Sequence, residues 1–170
     1  MHTALFKLRD EHRSISAVLS ALRQLARMAE DAKLRPDFAV FRAMIYYIDT
    51  FPERLHHPKE DRFLFARLLE RAPESGALVA RLKEEHVAGA KLVRDLERAL
   101  LELEQAWPRG AAQFTATVDA YAEFHWKHMR AEEQELLPLA EKALSAADWA
   151  EIAEAFAAND DPVSGLAEQN

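Results

Sequence analysis

His12, His56, His86 and His128 each interrupt an apolar helical stripe, and His56 and His128 are each followed four residues later by a glutamate, Glu60 and Glu132. That i,i+4 spacing puts both side chains of a pair on one helix face, one turn apart. A lone histidine on an apolar stripe is usually a hydrogen-bonded core residue, and a lone His–Glu pair is usually a surface contact. Six such residues at one depth of one bundle are different. A buried carboxylate without a partner costs several kcal/mol, and a cation between two of them removes that cost. Imidazole suits iron, zinc, copper and nickel, while carboxylate suits hard cations. Four imidazoles and two carboxylates are too many donors for one tetrahedral structural zinc. They suit two metals with open positions, bridged by the two glutamates and capped by the four histidines. Two carboxylates against two divalent or trivalent ions leave net positive charge, which a bound oxo, hydroxo or peroxo group would offset.

The elements that must position these residues are helical. The chain has 170 residues and only 4 Gly, and Ala, Leu, Glu and Arg are abundant, a helix-forming composition. Apolar residues recur at a three-to-four spacing, as in Leu5, Leu8, Ile15, Leu19 and Leu22, and no stretch alternates as a half-buried strand would. The core stripes read Leu5, Leu8, His12, Ile15 and Leu19; Phe41, Ile45, Ile48, His56, Glu60 and Leu64; Leu78, Leu82, His86 and Val93; and Phe114, Val118, Tyr121, His128, Glu132 and Leu136. Helices are expected over about Thr3 to Glu30, Asp37 to Arg71, Ala77 to Ala106 and Ala111 to Leu144. Pro52 and Pro58 each delete a backbone bond and should kink or restart the second. Ser145, with Asp148 three residues on, reads as an N-cap pair for a short helix to about Ala158. Asn159-Asp-Asp-Pro162 stops that helix, and a loose tail is expected over 159–170.

Four long helices with short links imply an all-α, antiparallel up-down four-helix bundle in a single domain spanning residues 1–170, followed by the short C-terminal helix. The bundle is written twice. Leu8-Arg-Asp-Glu-His12 matches Leu82-Lys-Glu-Glu-His86 at an offset of 74 residues, and the His56-to-Leu64 stretch matches His128 to Leu136 at an offset of 72. A pseudo-two-fold axis follows, and whatever sits on it should be symmetric.

Neighbouring residues have plainer readings. His57 lies about 100° round the helix from His56 and is expected to be exposed or to support a ligand. His125 is one turn before His128 and reads as a supporting or solvated histidine ahead of a seventh ligand. Asp61 and Glu133, one place beyond each glutamate, read as surface charges or as acceptors for the ligating imidazoles. Tyr121 is expected in the core, Trp107, Trp126 and Trp149 in packing or on an amphipathic surface, and His2 in a fraying end.

The composition bounds the function. There is no Cys, so disulfides, zinc fingers, iron–sulfur ligation and thiol nucleophiles are excluded. The net charge of −7 argues against nucleic-acid binding. No apolar run approaches the roughly 20 residues of a membrane span, and the first residues carry no secretory h-region, so the expectation is a cytoplasmic protein with no membrane partner.

Asp10-Glu-His12, His56-His-Pro-Lys-Glu60, Glu85-His86 and His128-Met-Arg-Ala-Glu132-Glu133 with Leu137-Pro138 resemble the hemerythrin-like family of His-His-Glu cation-binding domains, and Asn159-Asp-Asp-Pro162 with Gly165 resembles that family's ending. The resemblance implies a non-haem di-iron centre, oxo- or hydroxo-bridged, with His12, His56, Glu60, His86, His128 and Glu132 as ligands. The chain departs from the oxygen carriers, which resemble a His-x-x-x-His pattern on the third helix. Here Val87-Ala-Gly-Ala90 follows His86, and Ser16 is small at the equivalent point after His12. The set is more like the symmetric four-His, two-Glu sites linked to nitric oxide, oxidative stress or iron-centre repair. The repair proteins carry a Cys-bearing N-terminal segment with no counterpart here, which counts against repair. The expected function is binding, with reduction or sensing, of a small oxidant (oxygen, peroxide or nitric oxide), with electrons from an unidentified donor. The alternative is a reversible oxygen-binding or iron-sensing module without turnover. A ferritin-like oxidase wants two Glu-x-x-His motifs, and only Glu53-Arg-Leu-His56 matches before His128.

Overall fold

The computed structural model describes residues 3–31 and 33–163; His2 and Gly165 lie outside them. Four long helices, α1 (Thr3–Met28), α2 (residues 38–71), α3 (Gly76–Ala106) and α4 (residues 111–143), are followed by the short α5 (Ala146–Ala157). No strand occurs among the described residues. Contacts run α1 to α2, α2 to α3, α3 to α4 and α4 back to α1, so the helices close into a ring of antiparallel neighbours, with α5 against α1.

Local chemistry sets the ends. The Asp37 side chain accepts from the Ala39 N–H at 2.9 Å and caps α2. Gly110 precedes α4 at φ 87°, a region that penalises any residue with a Cβ. Ser145 and Asp148 form the reciprocal capping box expected of them, and Asp148 also accepts two hydrogen bonds from Arg71, which ties α5 to the end of α2. Helix α1 stops at Met28, two residues short of the expected end.

The prolines of α2 do not end it. The helix passes through two wider turns with i→i+5 bonding, Pro52–His56 and Glu60–Phe65. A matching wide turn, Glu132–Leu136, precedes Pro138 in α4. Wide turns of this kind are frequent at functional sites. Here two of the three begin at Glu60 and Glu132, the repeat-related carboxylates.

The core is split into two apolar clusters. One joins Ile15, Phe41, Ile48, Val93, Phe114 and Tyr121 with their neighbours. The other joins Leu8, Leu64, Leu82 and Leu136 with Trp149 and Phe156 of α5. On α3 the inward residue of the first turn is Val79; Leu78, one position round, is only partly buried. Between the clusters lies a layer of buried His and Glu side chains. Leu82 is fully buried beside this layer. Leu82→Ala should therefore lower unfolding free energy by about 2–5 kcal/mol, and Ser145→Ala by about 1 kcal/mol through the lost cap, both read from denaturant unfolding of the metal-free protein.

Candidate metal centre

Each long helix contributes one imidazole to the buried layer, and α2 and α4 add a carboxylate. His12, His56, Glu60, His86, His128 and Glu132 are at most 6% exposed. The histidines meet in pairs: Nε2 of His12 is 3.1 Å from Nε2 of His56, and Nε2 of His86 is 3.0 Å from Nε2 of His128. Two ring nitrogens so directed need a proton or a cation between them.

The glutamates span the two pairs. Oε1 of Glu60 lies 3.2 Å from His56 and 3.7 Å from His12, and its Oε2 lies 3.5 Å from His86. Oε1 of Glu132 lies 3.1 Å from His128 and 3.6 Å from His86, and its Oε2 lies 3.4 Å from His12. Each carboxylate thus turns one oxygen toward each histidine pair. Among the described residues, no hydrogen-bond donor reaches Oε2 of Glu60 or either oxygen of Glu132, although all three are buried. Orphaned buried carboxylate oxygens beside paired imidazole nitrogens fit a cation. Donor atoms of His57, Glu60, His86 and His128 lie within 4.8 Å of one another, as do those of His12, His56 and Glu60.

Every one of the four imidazoles gives its other nitrogen to an acid. Nδ1–H of His12 donates to Glu133 at 2.9 Å, that of His56 to Glu11 at 2.7 Å, that of His86 to Asp61 at 3.1 Å and that of His128 to Glu85 at 2.8 Å. These bonds aim Nε2 at the centre and raise its basicity. Asp61 and Glu133 are the acceptors that their position after each glutamate suggested. Glu11 and Glu85 were missed as site residues; each precedes a histidine of the repeat, and that repetition was the available signal. All four bonds run between different helices, so the acids also lock the ring of helices together.

Of the two readings of His57, exposed or supporting a ligand, burial excludes the first. Helix α2 is flanked on both sides, so its buried arc is wider than the roughly 100° separating His56 from His57. The His57 ring stacks on His86 with centroids 4.4 Å apart. His125 is also buried, with Nε2 3.2 Å from Oε1 of Glu53, and Tyr121 donates its hydroxyl proton to that oxygen at 2.9 Å. A Cβ at Gly89 would lie 3.1 Å from the same oxygen, so the glycine makes room for this second polar group. Trp149 is buried against α5's own cluster, while the half-buried Trp107 and Trp126 donate to the Ala29 carbonyl and the Ser16 hydroxyl.

Burial alone would push the imidazole pKa values down, but the acids outweigh it. Glu133, Glu60 and Glu132 raise His12 to about 9, Glu60 and Glu11 raise His56 to about 10, and Asp61, Glu132 and Glu60 raise His86 to about 12. Burial would raise the two glutamates, yet the imidazoles hold Glu60 well below its ordinary value and Glu132 down to about 2. His57, by contrast, is pushed down to about 3 by burial.

A four-helix bundle that turns one imidazole inward from each helix around two buried carboxylates is a cation-binding bundle. The family model of the hemerythrin HHE cation binding domain matches residues 3–140, and the chain belongs to that family. No curated protein matches the chain.

The raised histidines predict proton release on metal loading, because a ligating Nε2 must lose its proton. Calorimetry of metal binding near pH 7 in buffers of different ionisation heat should show net release, shrinking as pH passes through 9 to 10, where His12 and His56 lose their protons without metal. For the metal-free fold the sign is the same. These charged forms contribute stability below the unfolded value of about 6.5, and it is lost as pH rises through 9 to 10. The thermal midpoint of metal-free protein should fall between about pH 6.5 and 10.

Proposed function

We propose that the chain holds two iron ions, one at His12 and His56 and one at His86 and His128, bridged by Glu60 and Glu132, and that the centre binds and reduces or senses a small oxidant such as oxygen, peroxide or nitric oxide. The observation that supports two ions is the carboxylate geometry: each glutamate offers one oxygen to each histidine pair, at 3.1 to 3.7 Å. Iron fits the mixture of imidazole and carboxylate donors, and the bound pair would supply the electrons that a small oxidant accepts. An external donor would restore them.

The chain's own residues do the rest. The four outer acids hold the imidazoles in one tautomer and orientation. Apolar clusters on both sides keep the layer dry, which strengthens the bonds within it. Four imidazoles and two carboxylates divide evenly between the ions, so neither ion is saturated by protein donors and both keep positions for water or the oxidant.

Elemental analysis after growth with iron should find two irons per chain, and a single tightly bound zinc would refute the reading. Glu60→Ala or Glu132→Ala should empty the site or leave one ion. Full occupancy in the double variant would remove the bridging role. The even division of ligands also predicts that oxygen converts the di-ferrous protein to a stable di-ferric state instead of being released intact. Stopped-flow mixing tests this: a visible band that lasts minutes and vanishes on degassing would establish reversible carriage in its place.

A further inference from the structure

The turn after α5 reaches back into the metal centre. Asn159 is 3% exposed, and its Nδ2 donates to Oε2 of Glu11 at 3.0 Å. The same oxygen accepts from Nδ1 of His56 at 2.7 Å. The amide has one usable orientation, because Lys59 can only donate and a carboxylate only accepts. Lys59 Nζ donates to Oδ1 of Asn159 and, at 2.8 Å, to the carbonyl of Ala155 near the end of α5. Lys59 and His56 lie on the same helix, so the circuit closes from α2 through the turn to α1 and back to α2. Two further contacts pin the segment: Tyr47 donates to Asp161 at 3.2 Å, and Phe156 meets the His56 ring edge-on with centroids 5.8 Å apart.

Among the described residues, the other half of the repeat has no such clamp. Glu85 and His128 are the counterparts of Glu11 and His56, but α5 has no counterpart. Each acid has a cation one turn before it at 3.6 Å, Lys7 for Glu11 and Arg81 for Glu85, and the acids behind His12 and His86, Glu133 and Asp61, are alike at 40% and 36% side-chain exposure; the halves differ in that the Glu85 side chain is 22% exposed and that of Glu11 fully buried. An acid open to water can exchange its imidazole partner for solvent. A dry acid already held by an amide cannot.

We propose that Asn159 is a positioning residue that makes the two halves of the centre inequivalent. Acting through Glu11, it holds His56 so that the ion at His12 and His56 is the slower to leave, and the ion at His86 and His128 exchanges first. The determinant lies beyond residue 140, where the family match ends. The inference rests on the two-ion reading.

The test is ion release from full-length protein loaded with cobalt(II), on addition of excess chelator, followed by the cobalt absorption. Wild type should release two ions in two phases. Asn159→Ala should speed the slow phase about tenfold, the lower end of the usual effect of losing a supporting partner, and leave the fast phase unchanged. Glu85→Gln should speed only the fast phase. Asn159→Asp keeps the size of the side chain and the acceptor for Lys59 but loses the donor to Glu11, so it should release at least as fast as Asn159→Ala. Slow-phase release at the wild-type rate in Asn159→Asp would reduce Asn159 to packing and overturn the proposal, as would equal acceleration of both phases in Asn159→Ala. One cobalt per wild-type chain would instead sink the two-ion reading beneath it. Should Asn159→Ala not fold, the Asn159→Asp and Glu85→Gln pair decides alone.

Discussion

Two carboxylates buried at the centre of a helical bundle are the constraint on which the rest of this structure depends. Glu60 and Glu132 are each 1% exposed, and in a dry interior neither could remain ionised without compensation of several kcal/mol. In the metal-free protein each facing pair of imidazoles supplies it by holding a proton between its Nε2 atoms, and a cation supplies it when bound. Proton and metal therefore compete for one set of atoms. The apolar clusters above and below the layer make the competition strong, since they exclude the water that would otherwise solvate either form.

The constraint propagates outward in order. Imidazoles that must face inward through Nε2 need partners for Nδ1, and Glu11, Asp61, Glu85 and Glu133 provide them across helix boundaries. Each bond joins two different helices, so the requirement of the site is also a restraint on the bundle. The wide turns beginning at Glu60 and Glu132 belong to the same logic. They fall at repeat-related positions, where a regular α-helical turn gives way beside the carboxylate.

The repeat makes the inner six residues symmetric, but the surroundings are not. On the α3 side, His57, Glu53, His125 and Tyr121 form a second buried polar group against His86. The repeat counterpart of His57 is Met129, which packs in an apolar cluster. On the other side, the turn after α5 covers Glu11 and His56. A symmetric inner set is thus placed in two different environments, so its two histidine pairs differ in their electrostatic surroundings.

Much of this was legible in the sequence. Residue types and i,i+4 spacing selected the six inward donors, the three-to-four apolar period defined the helices, and the 72- and 74-residue offsets imposed their symmetry. The Ser145–Asp148 cap was readable for the same reason, because its partners are three residues apart. What sequence could not decide was anything that depends on which helices flank a side chain. Spacing on one helix left His57 either exposed or supporting a ligand; with a neighbour on each side of that helix, its face is interior. Glu11 and Glu85 acquire their role only when a histidine from another helix arrives opposite them. Asn159 read as the end of a helix and as part of the family-like ending, with no partner assigned to it. Its contact with Glu11 spans 148 residues of chain, and only the docking of α5 on α1 brings the two together. Periodicity records which way a residue faces on its own helix, while tertiary packing decides what it faces.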